Sequence, residues 1–305
     1  MTPWTSDPIL QAWRFTNVFR ELDAVTVWFR ENVRDPLRDK PEVLLATVLF
    51  RWFNRITTGE AIFKQEALGL GGEQPGETAW DALLRLGSGD GIDCVRAAVN
   101  SLPGPYVTGA YIIKTPDGMD KVDGVLWCVQ QFMRAQHGGK NEWQWIAERR
   151  LAEPGEISLE ATWKWLREFP YMGDFMAYEV VTDLRHTALL DQAPDIMTWA
   201  NPGPGAARGL GRVFTGDPEV FNKNQKQWLN ELMRVLLEAS RDAACWPHHD
   251  GIDGWAVPSD MMGDAAVGNV VDWPAWEMRD VEHTLCEFDK YERIREGGRG
   301  KRRYP

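Results

Sequence analysis

Residues 166–185 read LREFPYMGDFMAYEVVTDLR, and this stretch decides the fold. Leu166 and Phe169 close one apolar run, and Pro170-Tyr171-Met172-Gly173 predicts a tight turn. Phe175, Met176, Ala177, Val180, Val181 and Leu184 then form a second apolar run. Glycine at the fourth turn position can take positive φ and lets backbone approach a ligand closely. The start of the second helix offers unpaired N–H groups and a positive dipole end, a natural phosphate seat. Small Ala177 permits the two helices to pack closely. On this reading Gly173 sits against a phosphate and Arg185 adds a cation; the alternative is an ordinary αα-corner within a helical core.

Working outward, helical signals dominate and strand signals are poor. Residues 8–33 carry a helical period with Asp7-Pro8 as N-cap and first residue, and Arg14, Asn17, Arg20, Glu21 and Asp23 form a dense polar set on it. Residues 41–56 predict a buried helix that ends in Arg51, Asn54 and Arg55. Arg51 and Arg55, four apart, share a face and repel unless an anion or carboxylates lie between them. Gly-rich loops are expected within 58–78 and near 87–91, and helices at 79–87, 93–101, 122–135 and 141–152. LPGPYVTGAYII (102–113) is a weaker hairpin or a strand entry. Ser158 caps the helix before the central turn. Asn201-Pro202-Gly203-Pro204-Gly205 must be a tight loop, followed by a helical turn bearing Arg208 and Arg212. Long helices are expected over 217–245 and 272–294. The class is all-α or nearly so, with about 12 helices. His137-Gly138-Gly139 suggests a boundary between an N-terminal helical part, 1–137, and a part containing the central turn, 138–305, both lobes of one compact unit.

The chain has 305 residues, 44% of them apolar and 26% charged, so it is globular and long enough for a sizeable core. Sixteen Trp imply aromatic packing or stacking platforms. No apolar run reaches bilayer-spanning length and the start lacks a signal-peptide pattern, so a soluble, cytoplasmic protein with no membrane partner is expected. The four scattered Cys lack a C-x-x-C pair and predict free thiols. A net charge of −11 argues against an indiscriminate nucleic-acid binder. Yet from Lys290 to the end seven Lys/Arg, among them Arg293 and Arg299, face two Glu, a tail able to follow a phosphate backbone.

The sequence holds no P-loop, no G-x-S-x-G, no H-E-x-x-H and no EF-hand loop. His248-His249-Asp250 is a poor chelator because adjacent ligands rarely converge, and no metal is expected. Carboxylates, amides and arginines set among aromatics remain. Asp183, beside Arg185 and His186, and Asp195, in the segment after that helix, are the carboxylates that follow the central turn; either could cap a helix. Gly203 and Gly205 place Gly-rich backbone at a helix start with Arg208 one turn in, which suits phosphate.

RFTNVFRELD (14–23), RWFNR (51–55), the central turn, NPGPGAARGL (201–210) and HTLCEFDKY (283–291) together resemble a phage family of thymidine hypermodification. These are the α-glutamyl/putrescinyl thymine pyrophosphorylases, or amino acid:DNA transferases, similar to the helical domain associated with 5-hydroxymethyluracil DNA kinases. The resemblance implies a DNA-glycosylase-like helix-hairpin-helix fold, residence in the infected host's cytoplasm, and action after such a kinase. It implies that an amine, such as glycine or putrescine, displaces phosphate from 5-phosphomethyl-deoxyuridine in DNA. In the glycosylase fold an Asp follows the hairpin by some two dozen residues, which points to Asp195. The reaction would draw on Arg20, Arg55, Arg208 and Lys290 for phosphate, with Arg51 near it, on Asp183, Asp195 or His186 as base, and on Asn17 to read a pyrimidine edge. The flipped base would need an aromatic pocket, for which Trp13, Trp52, Trp199 and Phe175 are available. No cofactor is required, since the activated substrate carries the driving force. The alternatives are a glycosylase excising a modified pyrimidine and a non-catalytic DNA-binding partner of a base kinase.

Overall fold

A computed structural model describes residues 5–67, 75–110, 112–241 and 276–300. Among them the chain is helical apart from one two-stranded antiparallel hairpin, β1 (Gln136–His137) and β2 (Lys140–Asn141). The all-α expectation holds. The chain divides into two compact units, Glu21–Asp195 and Met1–Arg20 with Ile196–Pro305. The boundary expected near residue 138 falls in the turn of that hairpin, inside the first of these units.

In the unit of residues 21–195 the centre is α3 (Glu42–Phe53), buried from Val43 through Phe53. A helix this apolar on every side must lie inside a core. Against it pack α4 (Ile56–Phe63), α7 (Lys121–Arg134), α8 (Glu142–Ala152) and α10 (Asp174–Leu184), and the unit also holds α2 (Ala24–Phe29), α5 (Ala79–Leu86), α6 (Asp90–Asn100) and α9 (Leu159–Leu166). Phe29 stacks on Phe50 with centroids 4.3 Å apart, tying α2 to α3. α10 packs along both α3 and α9. Ser158 accepts the Ala161 amide as the N-cap of α9, as its sequence context requires.

The central turn departs from expectation in one detail. Tyr171, not Gly173, takes the left-handed conformation, with φ of +62°. Gly173 is the extended N-cap of α10, with φ of −75° and open space where a Cβ would stand. Its amide bonds the Tyr171 carbonyl, which moves the sharp bend two residues upstream.

The other unit contains α1 (Pro8–Ala12), α11 (Pro204–Thr215), α12 (Lys226–Ala239) and α13 (Met278–Arg295). Asp7 caps α1 with Pro8 following it, as expected. α11 lies close on α13 because Gly205 and Gly209 face it: a Cβ at Gly209 would sit 2.5 Å from the Leu285 carbonyl oxygen. The long helix expected over 8–33 does not form. α1 ends at Trp13, and Asn17 accepts the Phe19 amide in an Asx turn that competes with helix. α12 begins later than expected and ends earlier, at Ala239, and α13 begins at Met278; residues 242–245 and 272–275 of the expected helices lie outside the described residues.

Candidate functional site

In residues 21–195, α3 and α10 bring a set of charges together out of solvent. Arg51, 1% exposed, donates Nη2 to Asp183 Oδ1 at 2.6 Å and Nε to Asp183 Oδ2. It also donates to Asn54 Oδ1 at 2.8 Å and to Thr26 Oγ1 at 3.3 Å, and lies 3.9 Å from Glu179. Glu179 and Asp183 are four apart on α10, so helical spacing aims both at α3. Arg34 grips Glu21 through two bonds of 2.9 and 2.6 Å and stands 3.9 Å from Asp183. Burial works against the charge on Arg34, but Glu21, Asp183 and Asp35 outweigh it and hold its pKa above the ordinary value. His186 Nε2 lies 3.5 Å from Glu21 Oε1 and keeps about a quarter of its side chain exposed. Four carboxylates, two guanidiniums and an imidazole thus form one network.

The structure separates residues the sequence seemed to pair. Asn54, with φ of +46°, ends α3. Arg55 is therefore turned out of the Arg51 face, at the extended N-cap of α4, where it donates to Thr57. The anion expected between two arginines is instead Asp183, which serves Arg51 alone of that pair. Asp195 accepts the Leu159 and Glu160 amides at 2.7 and 2.9 Å, the helix-capping alternative, at the start of α9. Arg185 is half-buried and reaches the Asp191 carbonyl at 3.5 Å. Gly173 stays exposed beside Tyr171 and Phe175, which are 44% and 49% exposed. At the first position of α10 Asp174 pairs with Arg167, so a carboxylate already stands at this helix start.

The other candidates lie in the second unit. Arg208 and Arg212 clamp the buried Asp289 at 2.8 and 3.2 Å, and Arg212 also forks onto Glu296. The Gly203 amide donates to Glu282 at 3.2 Å and Gly205 packs on Cys286. An internal carboxylate therefore meets the Gly-rich helix start proposed for phosphate. Burial, then Glu282, pushes the Cys286 thiol well up. Lys290 donates to the Arg14 carbonyl and Glu287 and sits 4.6 Å over the Phe15 ring. Asn17 is exposed with its Oδ1 used by Phe19, Arg20 is half-buried, and Arg293 and Arg299 are exposed. His248, His249 and Asp250 lie outside the described residues.

Sequence reasoning missed Glu21, Arg34 and Glu179 as site residues. Glu179 could have been found, because an acidic residue four before Asp183 inside an apolar helix asks for a cation. Arg34 gives no such signal, since RDPLRDK around it has the composition of a solvated loop.

Residues 1–299 match the family model described as 5-hmdU DNA kinase, helical domain. The 5-hmdU DNA kinase of Bacillus phage SP10 is 29% identical over 227 residues, which cover 70% of this chain and 32% of the kinase. The chain thus spans about a third of the length of that curated relative. No solved structure matches it.

Proposed function

Because the chain belongs to the family of 5-hmdU DNA kinase helical domains, we propose that it modifies the phosphorylated form of 5-hydroxymethyluracil in phage DNA. An amine replaces the phosphate on the 5-methylene carbon: a C–N bond forms, the C–O bond breaks, and phosphate leaves with its electron pair. A proton leaves the attacking ammonium for a base on the protein. The observation that carries this reading is the family match along nearly the whole chain.

Within residues 21–195 the buried network supplies suitable groups. His186 is partly exposed, with Glu21 3.5 Å away, and so is more open to a substrate's proton than Asp183, held by Arg51, or Asp195, held by two amides. Arg34 and Asp183 act as positioning residues, fixing Glu21 and Arg51. The exposed bend before α10 is the proposed DNA contact.

A second reading, a non-catalytic DNA-binding domain, is favoured by the chain's correspondence to only a third of a kinase. The test is to incubate DNA containing 5-phosphomethyl-deoxyuridine with the protein and glycine or putrescine, digest it, and weigh the nucleosides. An aminated nucleoside supports the transferase. Released base points to a glycosylase, and unaltered but bound DNA supports the second reading.

A further inference from the structure

Arg150, on α8, is 3% exposed, and its Nε and Nη1 are enclosed without any hydrogen-bond acceptor. Every other fully enclosed arginine among the described residues, Arg34 and Arg51, is held by carboxylates. The Arg150 guanidinium instead lies over the Trp165 ring, 5.7 Å from its centroid. The edge of that same indole is occupied: Trp165 Nε1 donates to Glu142 Oε1 at 2.8 Å. Glu142 and Arg150 therefore border one aromatic ring from the two ends of α8, yet form no ion pair with each other. Phe132 and Phe169 wall the ring, at 5.8 and 5.2 Å between centroids. A buried guanidinium without a counter-charge is costly to keep, and a single added anion would remove most of that cost.

We propose that Arg150, Trp165 and Glu142 form a binding site for a small zwitterionic amino acid, its carboxylate on Arg150 and its ammonium toward Glu142 across the indole. Two features select this ligand. One guanidinium neutralises one negative charge, so a monocarboxylate leaves the site neutral, whereas a phosphate dianion would bury excess negative charge beside Glu142. The aromatic face also favours an ammonium group passing over it. The choice of ligand deepens the amine-transfer reading and rests on it, but binding to this site requires neither DNA nor turnover.

The experiment is calorimetric titration of the full chain, without DNA, with glycine, acetate, methylamine and inorganic phosphate in a non-coordinating buffer. Glycine is expected to bind saturably, acetate at least tenfold more weakly, and methylamine not at all. Arg150→Met should weaken glycine at least tenfold, and Glu142→Gln should weaken glycine but leave acetate unchanged. If Arg150→Met does not fold, the Glu142→Gln pattern alone decides. No saturable glycine binding, equal binding to both variants and wild type, or phosphate binding more tightly than glycine each overturns the proposal. A failure here with an aminated nucleoside still formed from DNA would remove this site while leaving the transferase standing.

Discussion

Replacing Asp183 by Asn removes one charge while preserving shape, and the structure sets the size of the loss. Arg51 and Asp183 are 1% and 2% exposed, and two of the bonds to Arg51 disappear or weaken. Arg34, 3.9 Å away, loses a second neighbour of opposite sign. Stranding a buried cation in this way costs about 3–5 kcal/mol. At ~2–4 °C per kcal/mol for a chain of this size, the melting temperature should fall by on the order of 10 °C. Urea unfolding followed by circular dichroism reads the loss, and hydrogen exchange along α3 and α10 localises it. Arg51→Met alone should cost a similar amount. The double variant Arg51→Met/Asp183→Leu should lose well short of the sum, with a coupling of about 2 kcal/mol or more, because neither charge is then stranded. Single losses below about 1 kcal/mol, or additive ones, would refute the claim that this pair organises α3 against α10.

Three further outcomes are expected. Burial alone pushes the Arg150 pKa down to about 10, below its ordinary value, so the folded state sheds this proton before the unfolded state does. The resulting cost of roughly 3 kcal/mol is therefore fully present below pH 10 and declines as pH rises toward the unfolded value. Wild type should gain stability relative to Arg150→Met across that interval, and parallel stability curves would show that Arg150 is not so depressed. Gly209→Ala places a Cβ 2.5 Å from the Leu285 carbonyl oxygen and should cost about 1–3 kcal/mol by forcing α11 off α13; an unchanged urea midpoint would contradict that packing. Gly173→Val meets open space and should fold normally, yet weaken duplex DNA binding in a gel-shift assay, since the side chain would stand between the bend and a phosphate. Unaltered affinity would remove the bend from the DNA contact.

The central turn was legible because proline, glycine and two apolar periodicities act within a dozen residues, and the buried α3 was legible because its apolar run is continuous. The turn's own geometry was not: glycine's tolerance of positive φ does not oblige it to adopt one, and here Tyr171 carries the bend. The Arg51–Asp183 pair joins residues 132 apart, and nothing local to either names the other. Arg51 and Arg55 share a face only in a helix that runs past Asn54, and the left-handed Asn54 ends α3. Arg150 was hidden because AERRLA has the composition of a solvated helix face, and which of two adjacent arginines is buried depends on the elements packed against α8, not on α8 itself.

The most direct test of the account is to follow inorganic phosphate release and amine incorporation together on DNA carrying 5-phosphomethyl-deoxyuridine. The account predicts one phosphate released for each amine joined to the base, both depending on added amine and both slowed at least tenfold in His186→Ala. Phosphate release without amine, liberation of the free base, or no reaction on DNA that the protein binds would contradict it.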